Sequence, residues 1–181
     1  MENLKELIEN NKIVVFDIET TGLRNNVVTG EFDYIIEVGA VKIEQGKICD
    51  KFSSFVSCPE KLAEAIVNLT GITNYDLENA PTVDKVLKDF YEFCKDCILV
   101  AHNLPFDYRF ISYYGEQCGL YFANKKLDTI VLAKEVLRDK VENYKLLTLA
   151  ACFNINFTHH RARCDAETTA KILLELAALQ S

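Results

Sequence analysis

Five residues of this chain combine type and setting in a way that could do chemistry: Asp17, Glu19, Asp107, His160 and Asp165. The first two stand in Ile13 to Leu23, IVVFDIETTGL, where an apolar run is followed at once by acids and then by Thr20, Thr21 and Gly22. The run has the composition of a strand buried on both faces. Alternate side chains of a strand share a face, so Asp17 and Glu19 project to one side at its end. Neighbouring carboxylates repel unless a shared proton or a divalent cation neutralises them. A lone D-x-E pair is more simply a solvated strand end. Asp107 and Asp165 each open a helix, where an acid can merely complement the helix dipole, and a single loop histidine such as His160 is ordinarily just exposed.

Taken together the five are harder to set aside. Asp107 follows a short buried strand, Ile98 to Ala101, with Pro105 in the first helical turn where a missing N–H costs nothing. Asp165 ends the segment HHRARCD, His159 to Asp165, in which Ala162 leaves room on the approach. Sites in open α/β sheets gather at strand ends. Four converging carboxylates call for cations, and hard ions such as Mg²⁺ or Mn²⁺ prefer oxygen ligands. Two such ions ~4 Å apart stabilise the attacking and leaving oxygens of an in-line phosphoryl displacement. An imidazole, with a reference pKa of ~6.5, suits the base that takes a proton from the attacking water.

The elements that must position these residues follow from periodicity. Residues 3–10 form an amphipathic helix, and a polar loop, Arg24 to Asp33, follows the opening strand. Tyr34 to Ile43 and Lys47 to Val56 are strands joined by the turn Glu44-Gln45-Gly46. A helix is predicted from Pro59 to Leu69, closed by Gly71, and another from Thr82 to Phe93 with Val83, Val86, Leu87 and Phe90 on one face. After the Ile98 strand a helix runs to Cys118, then a short strand at Lys126 to Asp128 and a helix through Arg138. Helices at Tyr144 to Cys152 and Cys164 to Leu179 complete the chain, the last with Ala166, Ala170, Leu173 and Ala177 facing the core. Three antiparallel strands followed by parallel ones, with helices on both faces, make a mixed α/β sheet within one domain, residues 1–181.

Bulk properties narrow the function. At 181 residues and 49% hydrophobic, the chain suits one globular domain, and no apolar run approaches the ~20 residues that cross a membrane. The start, MENLKELIENNK, is no secretory signal, so a cytoplasmic protein is expected. Seven cysteines are then reduced by default. Cys94 and Cys97 form a C-x-x-C pair, but it ends a helical pattern and has no second pair to complete a zinc cage, so structural thiols are expected. A net charge of −7 argues against a sequence-independent duplex binder, while leaving open an enzyme that grips a few nucleotides through metal ions.

On these residues the chain resembles the DEDDh (DnaQ-like) 3′→5′ exonucleases, from Ile13 to about Leu176, and among them the proofreading exonuclease domains of replicative DNA polymerases. The motifs are VFDIETTGL with Asp17 and Glu19, LVAHNLPFD with Asp107, and HRARCD with His160 and Asp165 in H-x-A-x-x-D spacing. IIEVGAVKI, NLTGIT (Asn68 to Thr73), LDTIVLA (Leu127 to Ala133) and KLLTLA (Lys145 to Ala150) are similar to family landmarks. The resemblance implies a ribonuclease H-like fold and two divalent cations, Mg²⁺ or Mn²⁺. Asp17, Glu19 and Asp165 would hold the catalytic ion, Asp17 would bridge to a second near Asp107, and His160 would be the general base. Ile18, Thr20, Thr21, Gly22 and Leu23 would seat the terminal nucleotide. Thr70, Gly71 and Ile72 would lie beside the last bases, with Asn103 and Phe106 flanking the cleft.

Two positions depart from the family. Cys164 stands where an acid often precedes the last aspartate, and is expected to point away from the metal side of its helix. Tyr144 stands where histidine is common, which puts a subsidiary contact there in doubt. The expected substrate is the 3′ end of single-stranded DNA, released as nucleoside 5′-monophosphates in proofreading or repair, with a DNA polymerase as a partner and no membrane. RNA or short oligoribonucleotides are the alternative, since discrimination rests on a contact to the 2′-OH. A binding module without catalysis is disfavoured by the intact five residues. Oligomeric state is open.

Overall fold

The run Ile13 to Phe16 does become a strand covered on both sides, within a computed structural model that describes residues 3–26, 28–156 and 161–180. This strand, β1 (Ile13–Thr20), is the centre of a five-stranded sheet ordered β5-β4-β1-β6-β7. β4 (Ile35–Glu44) pairs antiparallel with β1 and with β5 (Lys47–Phe55), the latter pair closing through Gln45 and Gly46. β6 (Ile98–Ala101) runs parallel to β1, and β7 (Lys126–Asp128) parallel to β6. The sheet is therefore mixed, antiparallel on one side of β1 and parallel on the other.

Alternation sorts β1 between two apolar layers. Ile13 and Val15 pack with Val41 and Ile43 against α1 (Leu4–Asn10), α6 (Thr129–Leu137), α7 (Leu146–Cys152) and α8 (Ala162–Ala178). Val14, Phe16 and Ile18 pack with Val38 and Ala40 against α4 (Val83–Phe93) and α5 (Leu104–Gln117). Asp17 and Glu19 share the parity of Ile13 and Val15, so they emerge on the α8 side. The expected stripe of Ala166, Ala170, Leu173 and Ala177 is buried there.

Several boundaries differ from expectation. The loop 24–33 contains a two-residue ladder, β2 (Asn25–Asn26) with β3 (Glu31–Phe32), too short to leave a period in the sequence. The helix expected from Pro59 begins at Glu64, as α2 (Glu64–Thr70), and ends at Gly71 as expected. Burial of Leu62 beside Ile36, Ile72 and Leu77, with its N–H held by Asn74 Oδ1 at 2.9 Å, keeps the preceding residues out of the helix. α3 (Asn74–Glu78) was not anticipated, although its capping box of Thr73 and Asp76 is legible as T-x-x-D. α7 begins at Leu146 rather than Tyr144, after Asn143 Oδ1 accepts from Lys145 N–H and the Thr148 hydroxyl. α8 begins at Ala162, two residues before Cys164.

The start of α8 is placed by a missing side chain. A Cβ on Gly39 would lie 2.1 Å from the backbone nitrogen of Arg163 and 2.3 Å from the carbonyl carbon of Ala162. Only glycine lets the helix backbone come this near the sheet. Gly39→Ala must push α8 away, and overpacking against backbone costs about 3 kcal/mol or more. Its melting temperature is expected to fall by roughly 6–12 °C; a change within ~2 °C in a thermal melt would contradict this packing.

All seven cysteines are free thiols. Cys94 and Cys97 are buried, Asn124 Nδ2 donates to both of their backbone carbonyls, and burial pushes the Cys94 thiol pKa up. A thiol so desolvated is a poor nucleophile and a poor ligand, consistent with a structural pair.

Candidate active site

Three carboxylates from two distant segments meet beside the end of β1. Asp17 and Glu19 reach from the strand and Asp165 from the first turn of α8, with one oxygen of each within 4.8 Å of the others. Asp165 is buried and Asp17 and Glu19 are partly so. Asp107, in the first turn of α5 and 3% exposed, stands beside this group without joining the set of three. Its Oδ1 accepts the N–H of Ile18 at 3.1 Å, tying the start of α5 to the strand between the two acids.

The electrostatics are those of an unneutralised cluster. Burial, then the charges of Asp107, Asp165, Glu19 and Glu37, hold the Asp17 carboxyl pKa well above the ordinary carboxylate range. Burial first, then Asp165 and Glu37, push Glu19 up to about 8, against the opposing pull of Arg161. Burial also raises Asp107, against the pull of the Ile18 N–H. An all-oxygen donor set that resists ionising for want of positive charge is what a hard divalent cation fits.

A pH dependence of stability follows. A carboxyl whose folded-state pKa lies above its unfolded value stabilises the fold below the unfolded pKa and loses that contribution as pH rises through the folded one. For Glu19 the window runs from about 4.5 to about 8. Metal-free protein should therefore melt lower at pH 8 than at pH 5. The gain in melting temperature on adding Mg²⁺ should be larger at pH 8 than at pH 6, where protons compete. A gain independent of pH, read by calorimetry, would contradict the carboxylate assignment.

The residues expected to surround the acids are placed as follows. The Thr20 hydroxyl donates to the Gly22 carbonyl at 2.6 Å, and Thr21 Oγ1 accepts Tyr34 N–H at 3.0 Å. Gly22 sits against Asp33, whose Oδ2 would be 2.3 Å from a Cβ there. Asp33 in turn accepts from Arg24 N–H at 2.7 Å and Nε at 2.8 Å, bracing the turn that leaves Leu23 80% exposed. The side chain of Ile18 packs in the core facing α4 and α5 rather than lining the acids. Thr70 and Ile72 are buried, the Thr70 oxygen bridging Ile66 C=O and Ile72 N–H, with left-handed Gly71 between them. Asn103 precedes α5 as its N-cap residue in a left-handed conformation with its N–H on Asp128 Oδ1 at 3.2 Å, and the Phe106 ring lies tilted against Phe110, centroids 5.1 Å apart. His160 lies outside the described residues.

Sequence reasoning missed Glu37, Asp33 and Asp128 as supports. An acid inside an otherwise apolar strand was a signal for Glu37, since a buried carboxylate must find donors. Asp128 caps α6 through Ile130 N–H at 2.8 Å while holding Asn103, so one carboxylate oxygen joins the ends of β6 and β7. No spacing rule marks such a residue.

Residues 14–173 match the RNase_T exonuclease family model. The PolC-type DNA polymerase III of Caldanaerobacter subterraneus subsp. tengcongensis is 44% identical over 166 residues, 91% of this chain and 11% of that protein. The PolC-type DNA polymerase III of Bacillus subtilis is 42% identical over 173 residues, 94% of this chain and 12% of that protein. The chain thus spans about a tenth of the length of these curated relatives. Among solved structures, exonuclease X in complex with 5′ overhanging duplex DNA superposes with a TM-score of 0.71 at 22% identity, covering 93% of this chain and 99% of that one. E. coli exonuclease I in complex with a dA16 oligonucleotide gives 0.75 at 15% identity, covering 89% and 39%. These two share the fold, which is of ribonuclease H-like type.

Proposed function

The chain belongs to the DnaQ-like exonuclease family, and from that membership we propose that it removes nucleotides from the 3′ end of single-stranded DNA, in the 3′→5′ direction. The products are nucleoside 5′-monophosphates, and the setting is polymerase proofreading or DNA repair in the cytoplasm. Residues 1–181 act as one exonuclease domain. The observation that supports this reading most is the convergence of Asp17, Glu19 and Asp165 within 4.8 Å, with Asp107 bonded to the backbone between the first two.

In this reading Asp17, Glu19 and Asp165 would hold one divalent cation, Mg²⁺ or Mn²⁺, and Asp107 with Asp17 would hold a second. When bound, the ions supply Lewis acidity at the scissile phosphate and charge stabilisation at the entering and leaving oxygens. His160 takes the proton of the attacking water. The bond from phosphorus to the neighbouring 3′-oxygen breaks, so the released nucleotide keeps its 5′-phosphate. Leu23, exposed at the tip of the braced turn, gives the terminal base an apolar surface, and the backbone from Ile18 through Thr21 and Gly22 lies alongside the sugar. The loop at Thr70, Gly71 and Ile72 would meet the preceding bases through the exposed Gly71, its two buried neighbours holding the loop in place, while Asn103 and Phe106 would flank the cleft. The high identity to PolC-type polymerases favours DNA over RNA and makes a DNA polymerase the natural partner.

Matched single-stranded DNA and RNA, labelled at the 5′ end and digested with Mn²⁺, test this directly. A ladder that shortens from the 3′ end, faster on DNA, is expected. Loss of the 5′-labelled nucleotide first, a faster ladder on RNA, or no release at all would overturn the polarity, the substrate or the activity respectively.

A further inference from the structure

Glu37 lies next to the acid cluster and binds the start of α8. It is 1% exposed and takes three hydrogen bonds. Arg161 Nε donates to Oε2 at 3.2 Å, Arg161 Nη2 to Oε1 at 3.0 Å, and the backbone N–H of Ala162 to Oε2 at 3.0 Å. A forked guanidinium on a carboxylate fixes direction as well as distance. The third bond gives α8 its N-terminal cap, which Arg161 as the N-cap residue does not supply with its own side chain. The other side of Arg161 lies over the Phe55 ring, 5.1 Å from its centroid, so β5 also fixes the guanidinium plane.

The same strand docks the same turn a second time. In the β1–β4 register Glu37 faces Glu19, and Gly39 faces Asp17. Two acids opposite one another across an antiparallel pair repel, and Arg161 offsets the charge of Glu37 there. Gly39 admits the backbone of Ala162 and Arg163 at contact distance. β4 therefore sets both the rotation and the height of the turn 161–163. Asp165 inherits that placement through its N–H on the Arg161 carbonyl at 3.0 Å.

We propose that Glu37, acting through Arg161 and the Ala162 amide, is a positioning residue that sets Asp165 against the acids of β1. This rests on the function proposed above. Glu37 acts at one remove from the ion; it decides where Asp165 is held. Outer partners of this kind are worth roughly 10–100-fold in metal affinity or activity.

The test compares wild type, Glu37→Gln, Arg161→Lys and the double variant Glu37→Gln/Arg161→Lys. Each is checked for full folding by circular dichroism at the assay temperature. Mn²⁺ affinity is measured by electron paramagnetic resonance, and kcat and KM on a single-stranded oligonucleotide. Glu37→Gln keeps the size of the side chain and an acceptor for Ala162, but loses the charge that orients the fork. It is expected to lower kcat or Mn²⁺ affinity by roughly 10–100-fold with KM little changed. Arg161→Lys should reproduce most of that loss, because a lysine cannot make the fork. The double variant should be no worse than the more damaged single, as expected for partners in one device. Folded Glu37→Gln with wild-type kcat and Mn²⁺ affinity would overturn the proposal, as would losses that simply add in the double variant. Failure of wild type to cleave any oligonucleotide would sink the exonuclease reading alone, since the Mn²⁺ affinities would still compare the four proteins. Wild type that binds no Mn²⁺ would sink both.

Discussion

Asp17→Asn is expected to abolish nucleotide release and to lower Mn²⁺ affinity, while leaving the protein folded and more heat-stable without metal than wild type. The first half follows from its place as the acid common to both proposed ions. Losing metal-derived stabilisation of several kcal/mol at the scissile phosphate costs ~10³-fold or more in rate. The second half follows from the cluster's electrostatics. Asp17 carries the repulsion of Asp107, Asp165, Glu19 and Glu37 as well as the cost of burial. An amide of the same shape removes both. A variant that merely damaged the fold would lose stability along with activity, so the opposite signs separate the two. Unchanged Mn²⁺ affinity in a titration would refute the shared-ligand role.

His160→Ala is expected to retain Mn²⁺ binding and KM yet lose ~10²–10⁴-fold in kcat, the usual contribution of a positioned general base. Near-normal kcat in His160→Ala would remove the residue from the mechanism. Read with Asp17→Asn, it divides the site into groups that hold the ions and the group that moves the proton.

Much of this architecture is legible residue by residue. Ile13 to Phe16 announce a strand buried on both faces because no polar residue interrupts them. The parity of Asp17 and Glu19 then fixes the face they share. Ala166, Ala170, Leu173 and Ala177 announce the core side of the last helix by their spacing. Other features depend on partners far along the chain. Pro59 marked a helix start that the burial of Leu62 and its bond to Asn74 move to Glu64. Glu37 reads as one residue of an apolar strand, and its partner Arg161 is 124 positions away. The meeting of Asp165 with Asp17 and Glu19 turns on Gly39, whose missing Cβ admits the helix. A pattern can name the groups that do chemistry; the distances between them come from packing that no local rule encodes.

Asp17, Glu19 and Asp165 are proposed as the protein's metal cage. Crystals soaked in Mn²⁺ and measured for anomalous scattering test it most directly. A strong anomalous peak bonded to one oxygen from each of the three carboxylates is the predicted result. Mn²⁺ bound elsewhere, with these three carboxylates making no contact to it, would contradict the account.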